Sequence, residues 1–286
     1  MEDRLAGVVD GGAAATGQAA AIDRGRVREA FDRYVAAYDP ENPKIRLKID
    51  HTYRVAELCD RIARGAGLPD PDRELAWLCG MLHDIGRFEQ TRRYGTFSDA
   101  RSVDHAALGV KILFDEGRLA DFVDLPGPAD LPALVRTVVG THSAFRLPEG
   151  LDPRTRALCD VVRDADKIDI LKAFRESDMV SVLDCSRRDL IESPLSQPVL
   201  DAFYGHRTVR RDERTWPADI VMSYPCFLYE LAYPESLRIA VDQGDVFALF
   251  EVPFAVPATQ QAVRAMEAHL RAWIECALRE DAAGGR

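Results

Sequence analysis

Four of the chain's six histidines stand in short motifs punctuated by polar residues. They are His51 in Ile-Asp-His-Thr-Tyr-Arg-Val-Ala, His83 in Gly-Met-Leu-His-Asp-Ile-Gly-Arg, His105 in Val-Asp-His-Ala-Ala-Leu-Gly and His142 in Val-Gly-Thr-His-Ser. An acidic cluster follows: Asp164, Asp166 and Asp169 in Arg-Asp-Ala-Asp-Lys-Ile-Asp-Ile-Leu. Imidazole nitrogens and carboxylate oxygens without a thiolate form a hard, mixed donor set. It suits Mn, Fe, Zn, Co or Ni and disfavours Cu(I) or an iron–sulfur cluster. Helical proteins build metal sites by collecting single ligands from several facing helices. The neighbours His83 and Asp84 put a nitrogen and an oxygen donor side by side, and the two oxygens of Asp84 could bridge two cations. Taken singly, each motif has a plainer reading. A lone histidine at a helix end is a cap, the acidic cluster with Lys167 is a solvated helix face, and Gly86 is a helix C-cap. The conjunction of all of them, in order, favours a metal centre. His206 and His269 fall outside the pattern and are read as structural or surface residues.

The elements that must position these residues are helical. Val27, Phe31, Tyr34, Val35 and Tyr38 recur at three- and four-residue steps, which predicts an amphipathic helix stopped by Pro40 and Pro43. A second helix is expected over 49–66, and a third from Pro69 and Pro71 to near Gly86. An Arg-, Thr- and Ser-rich loop over 87–102 follows, then helices over 103–114, 131–141 and 155–177. The stretch 184–217, with three prolines, reads as irregular, and two or three helices cover 218–281. Residues 1–22 read as a flexible Gly/Ala-rich leader and 282–286 as a frayed tail. Alternating strand patterns are scarce and there is no repeat or long linker. The expectation is all-α, a single helical domain over 23–281, with a ligand core at about 48–175 and a C-terminal extension at about 176–281.

At these residues the chain resembles the HD superfamily of metal-dependent phosphohydrolases, whose order is His, then His-Asp, often one or two further His, then Asp. Here the order reads His51, His83-Asp84, His105, His142, Asp166, and the resemblance covers roughly 48–175. It implies an HD-type fold with the metal centre between facing helices. It also implies that His51, His83, Asp84 and Asp166 hold one metal. Asp84 would bridge to a second, held with His105 and His142, giving two divalent transition-metal ions. Asp166 occupies the family's Ala-Asp-Lys position, which leaves Asp164 and Asp169 to supporting or surface roles. The implied chemistry is hydrolysis of a phosphate monoester or diester, nucleotides included, by a metal-activated hydroxide that Asp84 could also orient. Arg87 stands where many members carry Lys; it keeps the charge, and both phosphate binding and carboxylate pairing are open to it. Arg101, Arg146 and Lys167 are further candidates for binding phosphate. The stretch bearing Arg92, Arg93, Tyr94, Ser98 and Arg101 could line the mouth of the site or be a solvated basic loop, and Tyr94 and Phe97 could stack on a base or simply pack. Two other functions fit the same ligands: a mixed-valent di-iron oxygenase, as in inositol and phosphonate oxygenases of this fold, and a non-catalytic sensor or interaction module.

Composition narrows the classes further. The 286 residues carry 47 acidic and 37 basic side chains, a net charge of −10. That balance argues against a general nucleic-acid or anionic-membrane binder, which needs an electropositive face. A hydrophobic fraction of 47% excludes a disordered chain. The six cysteines are far apart with no C-x-x-C, as expected of reduced, buried thiols in a cytosolic protein. No apolar run is long enough to span a bilayer, and no secretory signal pattern is read. The expected setting is cytoplasmic and the expected partner a small phosphorylated substrate. The segment 184–217 and the helices after it could dock a partner or a second copy as a homodimer.

Overall fold

In the computed structural model, which describes residues 22–125, 129–176, 183 and 185–283, every regular element is helical and no strand occurs among the described residues. Local chemistry sets the helix starts. The side chain of Asp23 accepts from the Arg26 amide ahead of α1 (Arg24–Val35), and that of Asn42 accepts from Lys44 ahead of α2 (Pro43–Gly65). Pro43, read as a stop, is thus the first residue of α2, where its missing N–H costs nothing. Helices α3 (Asp70–Leu82) and α4 (Ile85–Tyr94) follow with only His83 and Asp84 between them. Then come α5 (His105–Val110), which runs into a π-helical turn at Lys111–Asp115, and α6 (Leu119–Phe122). Helices α7 (Leu131–Thr141) and α8 (Pro153–Glu176) complete the ligand-bearing set.

Helix α4 corrects the loop expected over 87–102. Ile85 and Phe88 are fully buried, and Phe88 packs edge-on to Phe31 and Tyr34 of α1. The apolar anchors of that turn outweigh its polar composition. Gly86 is likewise not a helix end. A Cβ there would lie 2.1 Å from the carbonyl oxygen of His105, so glycine is required for α4 to touch the start of α5.

The stretch 184–217 also contains α9 (Arg187–Ile191) and α10 (Gln197–Tyr204). A Ser186/Asp189 capping box starts the first, and Val199, Ala202 and Phe203 bury the second. The chain then continues through α11 (Pro217–Ser223), a 3₁₀ segment at Tyr224–Glu230, α12 (Pro234–Gln243), α13 (Asp245–Ala248) and α14 (Pro257–Ala282).

The core has two parts joined by α8. Its residues Leu158, Val162, Ala165 and Ile168 pack with α1 to α7 around Trp77 and Phe31, while Leu171 and Phe174 enter a second cluster with the C-terminal helices. Ile22, assigned to the leader, packs against the first cluster; residues 1–21 and 284–286 lie outside the described residues. Cys59, Cys79, Cys159 and Cys226 are buried, whereas Cys276 is exposed. No helix among the described residues is long and apolar enough to cross a membrane.

Candidate metal centre

Helix ends supply most of the site. His83 and His142 cap the C-termini of α3 and α7, where the last carbonyls have no partner within the helix. Each ring uses that vacancy: His83 Nδ1 donates to Gly80 O at 2.7 Å and His142 Nδ1 to Val139 O at 2.8 Å. A carbonyl only accepts, so both rings carry a proton on Nδ1 and turn Nε2 toward the centre. His105 begins α5, fixed there by the Asp104 side chain accepting from the Ala107 amide. Its Nδ1 faces Asp99 Oδ2 at 2.9 Å. His51 lies within α2, with Nδ1 at 2.6 Å from Asp169 Oδ2. All four rings are therefore oriented by an acceptor behind them, the arrangement that fixes the tautomer of a metal-binding imidazole.

The four Nε2 atoms converge on Asp84. Its Oδ2 lies 3.5 Å from both His51 and His83, and its Oδ1 lies 3.4 Å from His105 and 3.6 Å from His142. Asp166 Oδ1 closes the first group, 3.2 Å from His51 Nε2 and 3.8 Å from His83 Nε2. The two histidine pairs face each other nitrogen to nitrogen, at 3.3 Å for His51 with His83 and 3.0 Å for His105 with His142. Burial pushes His83 down to about 3, in spite of the Asp84 and Asp166 charges. Burial also lowers His105, more than Asp99 restores. His51 is instead raised: burial and Lys48 act to lower it, but Asp166 and Asp169 outweigh them. The fit to a metal rests on geometry: His51, His83 and Asp84 bring donor atoms within 4.8 Å of one another, and so do Asp84, His105 and His142. Asp84 itself is held well below the usual carboxylate range. Burial works against this, but Lys48, His83, His142 and Arg87 outweigh it.

Helical geometry separates the three acidic rivals on α8. At about 100° per residue, Asp166 and Asp169 lie roughly 60° apart, and Asp164 is turned well away from both. Asp166 faces the centre, Asp169 backs His51, and Asp164 accepts from the Ala232 and Tyr233 amides at the start of α12.

Residues 49–173 match the HD domain family. That segment is an HD domain. No curated protein and no solved structure matches the chain significantly. The matched span contains all six residues of the converging set.

A cavity of about 750 Å³ opens onto the HD centre, lined by Lys48, Asp84, His105, His142 and Asp166 among others. Of the sequence-derived phosphate candidates, Arg87 and Lys167 line it; Arg101 and Arg146 are exposed and do not. Arg87 is already engaged. Its Nη1 donates to Gln90 Oε1, to Phe97 O and to Asp99 Oδ1, and its Nε sits 3.6 Å from Asp84 Oδ1. Lys167 Nζ reaches Glu230 Oε2 at 3.3 Å. Arg92 and Arg93 pair with Glu89, and Phe97 packs beneath the Lys48 and Arg87 cations.

Several functional positions were missed from sequence. Lys48 Nζ lies 2.6 Å from Asp84 Oδ2. Its signal was present: it precedes His51 by three residues on one helix face. Asp99, hidden in a stretch read for its basic residues, had none. Arg163 donates to the carbonyls of Thr141, His142 and Ala144 and so holds the turn that carries His142.

Proposed function

We propose that this HD domain is a metal-dependent phosphohydrolase with a two-metal centre, cleaving a phosphate monoester or diester, nucleotides among them. The observation that carries this reading is the division of Asp84, with one oxygen toward His51 and His83 and the other toward His105 and His142. His51, His83, Asp84 and Asp166 would hold one ion, and Asp84, His105 and His142 the other. Bound divalent ions supply Lewis acidity toward a phosphoryl oxygen and acidify water at neutral pH.

The chain's own groups do the rest. Asp84 is placed to orient an attacking water. Lys48 stands beside Asp84 at the cavity surface and offers positive charge where an anionic phosphoryl group would sit. Arg87, braced by Asp99 and Gln90, adds a second fixed cation. Buried walls around the rings limit water to the cavity side, because among the metal-facing carboxylates only Asp166 keeps appreciable exposure, at 13%.

The test uses p-nitrophenyl phosphate, bis(p-nitrophenyl) phosphate and a nucleotide panel, with metal content measured in parallel. Turnover that needs divalent metal, proceeds equally without oxygen and disappears in Asp84→Ala supports the reading. Wild-type turnover in Asp84→Ala, or oxygen consumption coupled to turnover, refutes it.

A further inference from the structure

The wall of the cavity contributed by residues 208–214 lies outside the HD segment at 49–173 and carries a cation that no carboxylate among the described residues neutralises. Arg214 is half-buried and lines the cavity. No carboxylate among the described residues lies within ion-pair distance of its guanidinium. The contact found there is a long one, Nη1 to Ser223 Oγ at 3.4 Å, and its Nε has no partner. Burial lowers its affinity for the proton, as expected of a cation removed from water without a counter-ion. Thr208, on the same wall, is held by Glu230, whose Oε1 accepts from its amide at 3.3 Å, and its hydroxyl lies at the cavity lining. Arg211 extends from this wall toward the metal end, its Nη2 3.8 Å from Asp99 Oδ2, so the wall faces the catalytic residues across one cavity.

A desolvated charge without a partner is expensive, and proteins seldom retain one that nothing neutralises. Four of the other cavity cations meet a carboxylate within 3.3 Å, and Arg163 is held by the carbonyls of Thr141, His142 and Ala144. Lys48 meets Asp84, Arg87 meets Asp99, Lys167 meets Glu230 and Arg210 meets Asp212. The lining carries seven basic side chains and six acidic ones, on a chain whose net charge is −10. The cavity is thus a local exception to the acidity of the protein. Phe145, Ile170, Val209 and Phe227 give the same cavity apolar surface, suited to the carbon body of a small molecule.

From this we infer that Arg214, with Thr208 and Arg211, forms a second anion subsite, and that the substrate is a phosphoester carrying a second anionic group, phosphate or carboxylate. The metal centre takes the scissile phosphate, and the guanidinium fork of Arg214 takes the distal anion. The inference rests on the phosphohydrolase reading for the scissile end, but the subsite is tested by binding alone.

The probes are α,ω-alkanediyl bisphosphates of two to eight carbons, ω-carboxyalkyl phosphates of the same lengths, and the matching alkyl monophosphates. Each is titrated calorimetrically into the metal-bearing protein. At one chain length the doubly anionic probe should bind at least tenfold tighter than its monophosphate. Comparison of the two series then says whether the distal group is phosphate or carboxylate. In Arg214→Gln the advantage should shrink to threefold or less, with Arg214→Lys intermediate and monophosphate affinity changed little. Equal affinities of single and double anions at every length in the wild-type protein overturn the subsite, as does an advantage that survives in a folded Arg214→Gln. Should neither variant fold, the wild-type chain-length series decides. Failure of the parent reading looks different: discrimination between the probes persists, yet no phosphoester is turned over.

Discussion

Asp169 and Asp99 touch no shared atom, yet each backs one histidine of a different pair, and this makes a selective test of the centre. Asp169 Oδ2 lies 2.6 Å from His51 Nδ1, and Arg54 clamps the carboxylate through Nε at 2.6 Å and Nη2 at 2.9 Å. Burial acts to raise the Asp169 pKa, but the hydrogen bonds from His51 and Arg54 hold it below the usual range. The acceptor behind His51 is therefore an anion. A buried hydrogen bond to a charged group is worth about 1.5–3 kcal/mol. Removal of such a backing group costs a metal site about 10- to 100-fold in affinity, or roughly 1.4–2.7 kcal/mol. Asp169→Asn should fall at the upper end. Its amide nitrogen, if turned toward His51, demands a bare Nδ1 and moves the ring proton onto Nε2, which blocks the donor. Asp99→Asn should do the same to His105. The assay is competition with a chelator of known affinity, with metals counted by elemental analysis and the fold checked by thermal melting. Asp169→Asn should weaken one binding step and Asp99→Asn the other. Wild-type affinity in both variants, or loss of the same step in both, would refute the division into two sites.

Three further outcomes are expected. Gly86→Ala puts a Cβ 2.1 Å from His105 O, so the α4–α5 contact must open; stability should fall by about 3 kcal/mol in denaturant unfolding, and bound metal should fall with it. An unchanged unfolding midpoint would contradict the close contact. His105→Ala or His142→Ala should reduce tightly bound metal from about two ions per chain toward one, and an unchanged count sinks the second site. Burial raises Asp164 to about 6 from 3.8, although the amides of Ala232 and Tyr233 oppose it. A carboxyl raised in the folded state favours folding when protonated, so its contribution is present below about pH 4 and is lost as pH rises through 6. Relative to wild type, Asp164→Asn should gain stability by about 1–3 kcal/mol between pH 4 and pH 7.5; a pH-independent difference would remove the charge from the account.

Most of the helical order was readable because apolar residues at three- and four-residue steps mark the buried face of a helix directly. The errors came from residues with two uses. Proline both stops a helix and starts one, and at position 43 it starts α2. Glycine both ends a helix and permits close contact, and Gly86 does the second. The stretch after Arg87 looked like a loop by composition, but Phe88 needs its place under α1 and the helix forms around it. The short helices between 187 and 204 were missed because each has barely a turn or two of pattern.

The sequence alone determined the donor types, their order and the helices that carry them, since metal affinity depends on residue chemistry and local periodicity fixes where a residue stands around its own helix axis. The resemblance to the family's Ala-Asp-Lys position preferred Asp166 over Asp164, and the angle between them on α8 gives the physical reason. Tertiary structure decided what lies between axes. Packing of α2, α3, α5 and α7 sets the spacing at which the two oxygens of Asp84 meet two different histidine pairs. It brings Asp99 behind His105 and Lys48 onto Asp84. It also brings the 208–214 segment to the cavity wall, with no carboxylate among the described residues in ion-pair distance of Arg214. Those distances depend on the fit of side chains far apart in the chain, and no local pattern encodes them.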